Sequence, residues 1–138
     1  MTVDAKHRHL FNADTTTCFV NPERWQPEGG PYTAKAFHRY VDNLADYGID
    51  TFIINANAQR AWYPSKTIPH ILEGYVRGDR EFFRGHAICQ GITEEKEVGA
   101  FMDRMTAFMN LYQDLLDAGV DWLAENAAAC RNRGCPLG

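Results

Sequence analysis

Long apolar runs are missing from this chain. No stretch approaches the roughly 20 consecutive apolar residues that a membrane helix needs. Lys6, His7, Arg8 and His9 interrupt the amino-terminal region where a signal peptide would carry its apolar segment. The sequence as given therefore reads as cytoplasmic, with an upstream secretion signal in a longer parent left open. Basic character is also lacking: 14 Lys and Arg against 18 Asp and Glu give a net charge of −4, and the cations are scattered, which argues against a nucleic-acid surface. Cysteine is scarce, at four residues, too few for a disulfide scaffold. Cys130 and Cys135 straddle an expected helix end. A zinc site would want a second pair of Cys or His at similar spacing, and there is none, so the two read as core side chains and neither metal nor cofactor is expected. The sequence also lacks a nucleophile elbow, a phosphate-cradling glycine loop, a zinc signature and an internal repeat. Acyl transfer, nucleotide chemistry and zinc hydrolysis thus have no support.

What remains is the composition of a folded domain, with 45% hydrophobic and 23% charged residues in 138. A chain of this length normally buries about two-thirds of the surface it exposes when unfolded. Residues 9–19 begin apolar and turn polar, as a strand does when it runs out into a loop. Pro22, Pro27, Gly29, Gly30 and Pro31 impose a loop. Thr33 is placed to cap a helix whose apolar positions, Ala36, Phe37, Tyr40, Val41, Leu44 and Tyr47, share one face, and Gly48 ends it. Thr51, Phe52, Ile53 and Ile54 follow as a strand that reads as parallel and covered on both faces. Short helices are expected over 68–76 and 79–83. Thr93 then caps a long helix over 94–117 with an apolar stripe of Val98, Phe101, Met102, Met105, Phe108, Met109, Tyr112, Leu115 and Leu116. Gly119 breaks it, and Asp121 caps a last helix over 122–133.

Order along the chain thus predicts an α/β fold: the first two to three β/α units of a TIM-type barrel, with residues 58–119 as a long helical insertion after the second strand. The final residues repeat the sequence of helix, glycine and incipient strand seen at 44–54, so residues 1–138 are expected to form a single, incomplete α/β domain. Exposed strand edges in such a piece are expected to favour self-association.

In parallel α/β architectures ligands bind beyond the carboxyl ends of the strands. That rule selects Asn12 and Asp14 after the first strand, and Asn55, Asn57, Gln59, Arg60, Trp62 and Tyr63 after the second. On an extended backbone Asn55, Asn57 and Gln59 point the same way, and neutral amides suit hydroxyl-rich ligands. Trp62 and Tyr63 offer flat faces for stacking on a sugar ring, and Asp14 and Arg60 offer charge-assisted bonds. The insertion is expected to fold over this end as a lid. The competing reading for the asparagines and Asp14 is turn chemistry just after a strand. His7 and His9 have a spacing found in metal sites but stand before the strand begins. His38 reads as solvated, while His70 and His86 lie within the insertion. Glu73, Asp79 and Glu81 join Asp14 as candidate carboxylates, with no pair fixed by spacing.

The segments Leu10-Phe11-Asn12-Ala13-Asp14, Ile53-Ile54-Asn55-Ala56-Asn57 and Ala118-Gly119-Val120-Asp121-Trp122-Leu123-Ala124, leading to Cys130-Arg131-Asn132-Arg133-Gly134, resemble the start of bacterial glycoside-hydrolase-like (β/α)8-barrel proteins, many of them uncharacterised. The resemblance implies a carbohydrate-binding barrel with substrate contacts on the ends of its first two strands. It also implies an acid and a nucleophile on later strands, so the catalytic residues stay unknown and the piece alone would bind weakly and catalyse nothing. The alternative is a self-contained α/β binding or interaction domain that docks a partner through helix 94–117.

Overall fold

The structure, a computed structural model, describes the backbone of residues 9–58 and 60–135, with the side chains of all of these except 15, 16, 57 and 58. His7 and Gln59 therefore lie outside the described residues. The fold is mixed α/β. Strand β1 (Leu10–Asp14) runs into a 3-10 turn (Thr15–Phe19) and a single helical turn, α1 (Pro22–Trp25). Helix α2 (Ala34–Asp46) leads back to β2 (Thr51–Asn55), which pairs parallel with β1 from Leu10↔Thr51 to Asp14↔Asn55. The join is made at the strands' entrance, where the Asp50 and Thr51 N–H groups both donate to the His9 carbonyl at 3.0 and 3.3 Å.

Helix ends in this chain follow one local rule. Gly48, at φ +87°, ends α2, and the next amide, Ile49 N–H, donates back to Leu44 O at 3.2 Å. Gly134 repeats the arrangement after α5 (Trp122–Asn132), with Cys135 N–H donating to Cys130 O at 2.8 Å. A left-handed residue followed by an apolar one satisfies two orphan carbonyls and turns the chain back toward the core, which is why glycine stands at both places. Asp121 caps α5 as expected, its carboxylate accepting from Ala124 N–H at 3.1 Å.

Alternation along the strands sorts their side chains. Phe11, Ala13, Phe52 and Ile54 face the helices, while Leu10, Asn12, Asp14 and Asn55 are exposed on the other side. The cover on β2 is partial: Phe52 is buried, Thr51, Ile53 and Ile54 are half-buried and Asn55 is exposed, while Leu10 on β1 keeps 56% of its surface. Helices α2 and α5 pack together over the covered side. Phe37 stacks on Trp122 with centroids 6.0 Å apart, His38 meets Glu125 at 3.0 Å, and Arg133 reaches Asp42 and Asp46.

The stretch expected to insert as a lid is instead part of the core. Residues 68–76 form turns rather than a helix, because Pro69 and Gly74 interrupt it and the Ala61 backbone bridges His70. A 3-10 turn (Arg80–Phe83) continues into α3 (Arg84–Cys89). Helix α4 (Glu95–Asp117) starts with Glu94, not Thr93, in the cap position. It buries Val98, Phe101, Met102, Met109, Tyr112 and Leu115, with Met105, Phe108 and Leu116 packed alongside. Its apolar face is therefore occupied by the chain itself, and docking a partner there would require uncovering it. Three arginines tie the preceding segment to this helix: Arg77 forks between Asp114 and Asp117 at 2.9 and 2.8 Å, Arg80 holds Asp103 at 2.8 Å and Arg84 holds Glu95 at 3.0 Å. Such exposed pairs are individually weak, but they share one direction and set the segment's register.

Buried acids give the fold a signature at high pH. Burial pushes the Cys18 thiol up to about 12, and burial followed by the neighbouring Cys135 pushes Cys130 up to about 11. Burial likewise holds the Tyr32, Tyr40 and Tyr112 hydroxyls above their ordinary range. Unfolded, these groups ionise near 9.0 for cysteine and 10.0 for tyrosine. The folded chain then retains protons that the unfolded chain releases, so stability is complete below about pH 9 and falls as the pH rises toward 12. The melting temperature is expected to fall steadily above about pH 9, and a flat profile up to about pH 11 would show that these groups are accessible in the folded state.

Candidate functional site

The carboxyl ends of β1 and β2 bring together part of the expected set. Asp14 and Asn55 are register partners, and the Asn55 side-chain amide donates to Asp14 Oδ1 at 3.0 Å. Both are exposed, and Asn12 lies two residues earlier on the same open face. An ionised carboxylate has about four acceptor positions, of which this bond uses one. The pair thus presents a fixed acceptor with its donor amide beside it, directed at solvent. The turn reading is also partly realised, since Asp14 is the last strand residue before the 3-10 turn.

Beyond Asn55 the backbone does not continue as one extended strand. Residues Asn57–Ala58 (β3) pair antiparallel with Arg60–Ala61 (β4), so the chain doubles back within this stretch. The side chain of Asn57, like Gln59, is outside the described residues. Doubling back also carries Trp62 inward: its N–H donates to Ala56 O at 3.0 Å and only 5% of its surface remains exposed. There it stacks on Phe19 at 5.8 Å and 28°, leans on Tyr112 at 5.9 Å, and gives its carbonyl to Trp122 Nε1–H at 2.6 Å. Trp62 is a core residue, and the expectation that it forms a sugar-stacking face is corrected. An aromatic side chain in a loop can be pulled into a core by partners 40 to 60 residues away, which local periodicity does not register.

Tyr63, next in the chain, is half-buried and lines a cavity of about 410 Å³ with Pro64, Leu116, Val120, Asp121 and Trp122. Arg60 lines a different cavity, of about 570 Å³, with Phe82, Gly85, His86, Cys89 and Gln90. The six expected residues whose side chains are described are thus divided among the open sheet face, the core and two separate cavities. Nothing in the spacing of residues 82–90 signalled that they would meet Arg60.

The remaining candidates are occupied or peripheral. Glu81 is held by Arg84 at 2.8 Å, a bond that keeps its carboxyl below the usual range, while Glu73 and Asp79 are exposed on turns. His70 Nδ1 accepts from Leu72 N–H at 3.3 Å, and His9 is engaged through its backbone. His38 pairs with Glu125 instead of standing free in solvent. Cys130 and Cys135 are buried core side chains, in keeping with the sequence reading. Among the described residues no three His, Cys, Asp or Glu side chains converge as a metal-binding group, and no helix is long and apolar enough to cross a membrane. No protein-family model matches the chain, and no curated protein sequence matches it significantly.

Proposed function

We propose that the open face at the carboxyl ends of β1 and β2 is the substrate-holding part of a carbohydrate-active, glycoside-hydrolase-like α/β barrel, with Asn12, Asp14 and Asn55 bonding sugar hydroxyls. The observation that carries this reading is the exposed Asp14–Asn55 pair, 3.0 Å apart at the end of a parallel strand pair, where such architectures place their ligands. Parallel strands covered by helices on one side only, and a glycine turn after α5 that brings Cys135 beside Ile49 as the turn after α2 brings Asp50 beside His9, support a repeating β/α plan. The roles assigned are binding roles, and no catalytic carboxylate pair is assigned. Arg60 and Tyr63 face other cavities, so the hydroxyl-bonding set is the smaller one on the sheet.

The reading is tested by titrating neutral monosaccharides and methyl glycosides into isotopically labelled protein. Backbone amide shifts of Asn12, Asp14 and Asn55 should move together and saturate at millimolar sugar, while Asp14→Ala weakens the affinity by about tenfold, or about 1.4 kcal/mol. The melting temperature should hardly change, because the side chain is exposed. Shifts confined to other parts of the chain, or an Asp14→Ala affinity equal to the parent's, would remove the sheet face as the sugar site.

A further inference from the structure

We propose a second, chemically distinct site: the cavity between the β3–β4 hairpin and α3 binds a small planar carboxylate through Arg60. Five other arginines of the chain meet carboxylates: Arg39 pairs with Glu28, Arg77 with Asp114 and Asp117, Arg80 with Asp103, Arg84 with Glu81 and Glu95, and Arg133 with Asp42 and Asp46. The Arg60 side chain has no hydrogen bond or ion pair among the described residues, although it is half-buried. It lines a cavity of about 570 Å³ with Phe82, Gly85, His86, Cys89 and Gln90 among the described residues. Among the described residues no acidic side chain is in that lining, although the chain as a whole carries −4. A guanidinium beside apolar surface gains more from a counter-anion than one in open water, because the effective dielectric there is lower.

The shape of the walls selects the anion. Phe82 and His86 stand 5.8 Å apart with their rings tilted by 31°, placing two aromatic rings in the lining beside the cation. The fork of a guanidinium matches the two oxygens of a carboxylate in one plane. One cation balances one carboxylate, whereas a phosphate dianion calls for a second cation or a nest of backbone N–H groups. The Gln90 amide can donate to a substituent at the rim. An aromatic or otherwise flat monocarboxylate therefore fits this lining best. The site does not depend on the sugar reading, since Asp14, Asn12 and Asn55 do not line it.

Cys89 supplies the readout. It is the exposed cysteine, while Cys18, Cys130 and Cys135 are buried, so iodoacetamide should alkylate the folded chain selectively at Cys89. Benzoate is the probe, and benzamide, of the same shape but neutral, is its control. Benzoate should slow alkylation of Cys89 saturably and act at a concentration about tenfold lower than benzamide, the ratio expected when one charge-assisted pair is lost. Arg60→Gln should abolish that preference and Arg60→Lys should keep part of it, while Asp14→Ala leaves it unchanged. Equal protection by benzoate and benzamide, no protection by saturating benzoate, or full protection in Arg60→Gln would each overturn the site. The benzoate–benzamide contrast on the unaltered chain decides the question even if a variant fails to fold.

Discussion

Trp62→Ala is expected to destabilise the protein by about 3–5 kcal/mol, the range for deleting a large buried aromatic side chain. Since a domain of this size holds only about 5–15 kcal/mol in total, the variant should melt far below the parent or fail to fold cooperatively. The ring is in contact with Phe19 and Tyr112, and Phe19, itself 0% exposed, also touches Tyr32 and Phe37. Removing Trp62 therefore opens a cavity at the junction of the 3-10 turn after β1, α2 and α4. Thermal and urea unfolding measure the loss, and the sugar titration above serves as the independent readout. A variant with parental stability but no sugar affinity would return Trp62 to the surface. Trp62→Phe should recover part of the loss by refilling the space.

The second large effect belongs to Trp122. Trp122→Ala should cost about 3–5 kcal/mol by the same cavity argument. Trp122→Phe separates the terms: it keeps the stack on Phe37 but strands the Trp62 carbonyl, which accepts the indole N–H at 2.6 Å in a buried setting. An unsatisfied buried carbonyl costs about 1–3 kcal/mol, so the phenylalanine variant should lie between the parent and the alanine variant. Stability equal to the parent's would mean that the carbonyl finds another donor. The Trp62 carbonyl belongs to the main chain and survives Trp62→Ala, so the hydrogen bond from Trp122 is tested by Trp122→Phe alone.

Much of the secondary structure was legible because its causes are local. The apolar steps of α2 and α4, the carboxylate cap at Asp121, and the glycines at 48, 119 and 134 each act within a few residues of themselves. Readings failed where a segment lacked such a period. Residues 68–76 looked helical but contain Pro69 and Gly74, and their backbone finds a partner in Ala61. A single extended run after Asn55 was expected, and β3 and β4 pair with one another instead.

The candidate site shows the same division. That Asp14 and Asn55 stand at the ends of their strands follows from hydrophobic runs that stop there, so both residues were accessible to a reading of the sequence. Their approach to 3.0 Å depends on a parallel register set by α2 and its glycine turn. Arg60 was selected for its position near β2, yet its cavity is built by α3, more than 20 residues further on.

By itself the sequence determined an α/β chain, the faces its helices bury, the glycines that end them, and the polar ends of its two parallel strands. Those properties depend on backbone stereochemistry and on periods of 2 and 3.6 residues, which act within one element. Only the tertiary structure decided that one sheet face stays open, that Trp62 belongs to the core, and that Arg60 meets Phe82 and His86 across a cavity. Such outcomes depend on contacts between elements far apart in the chain, where burial is won by whichever side chains fill the shared space.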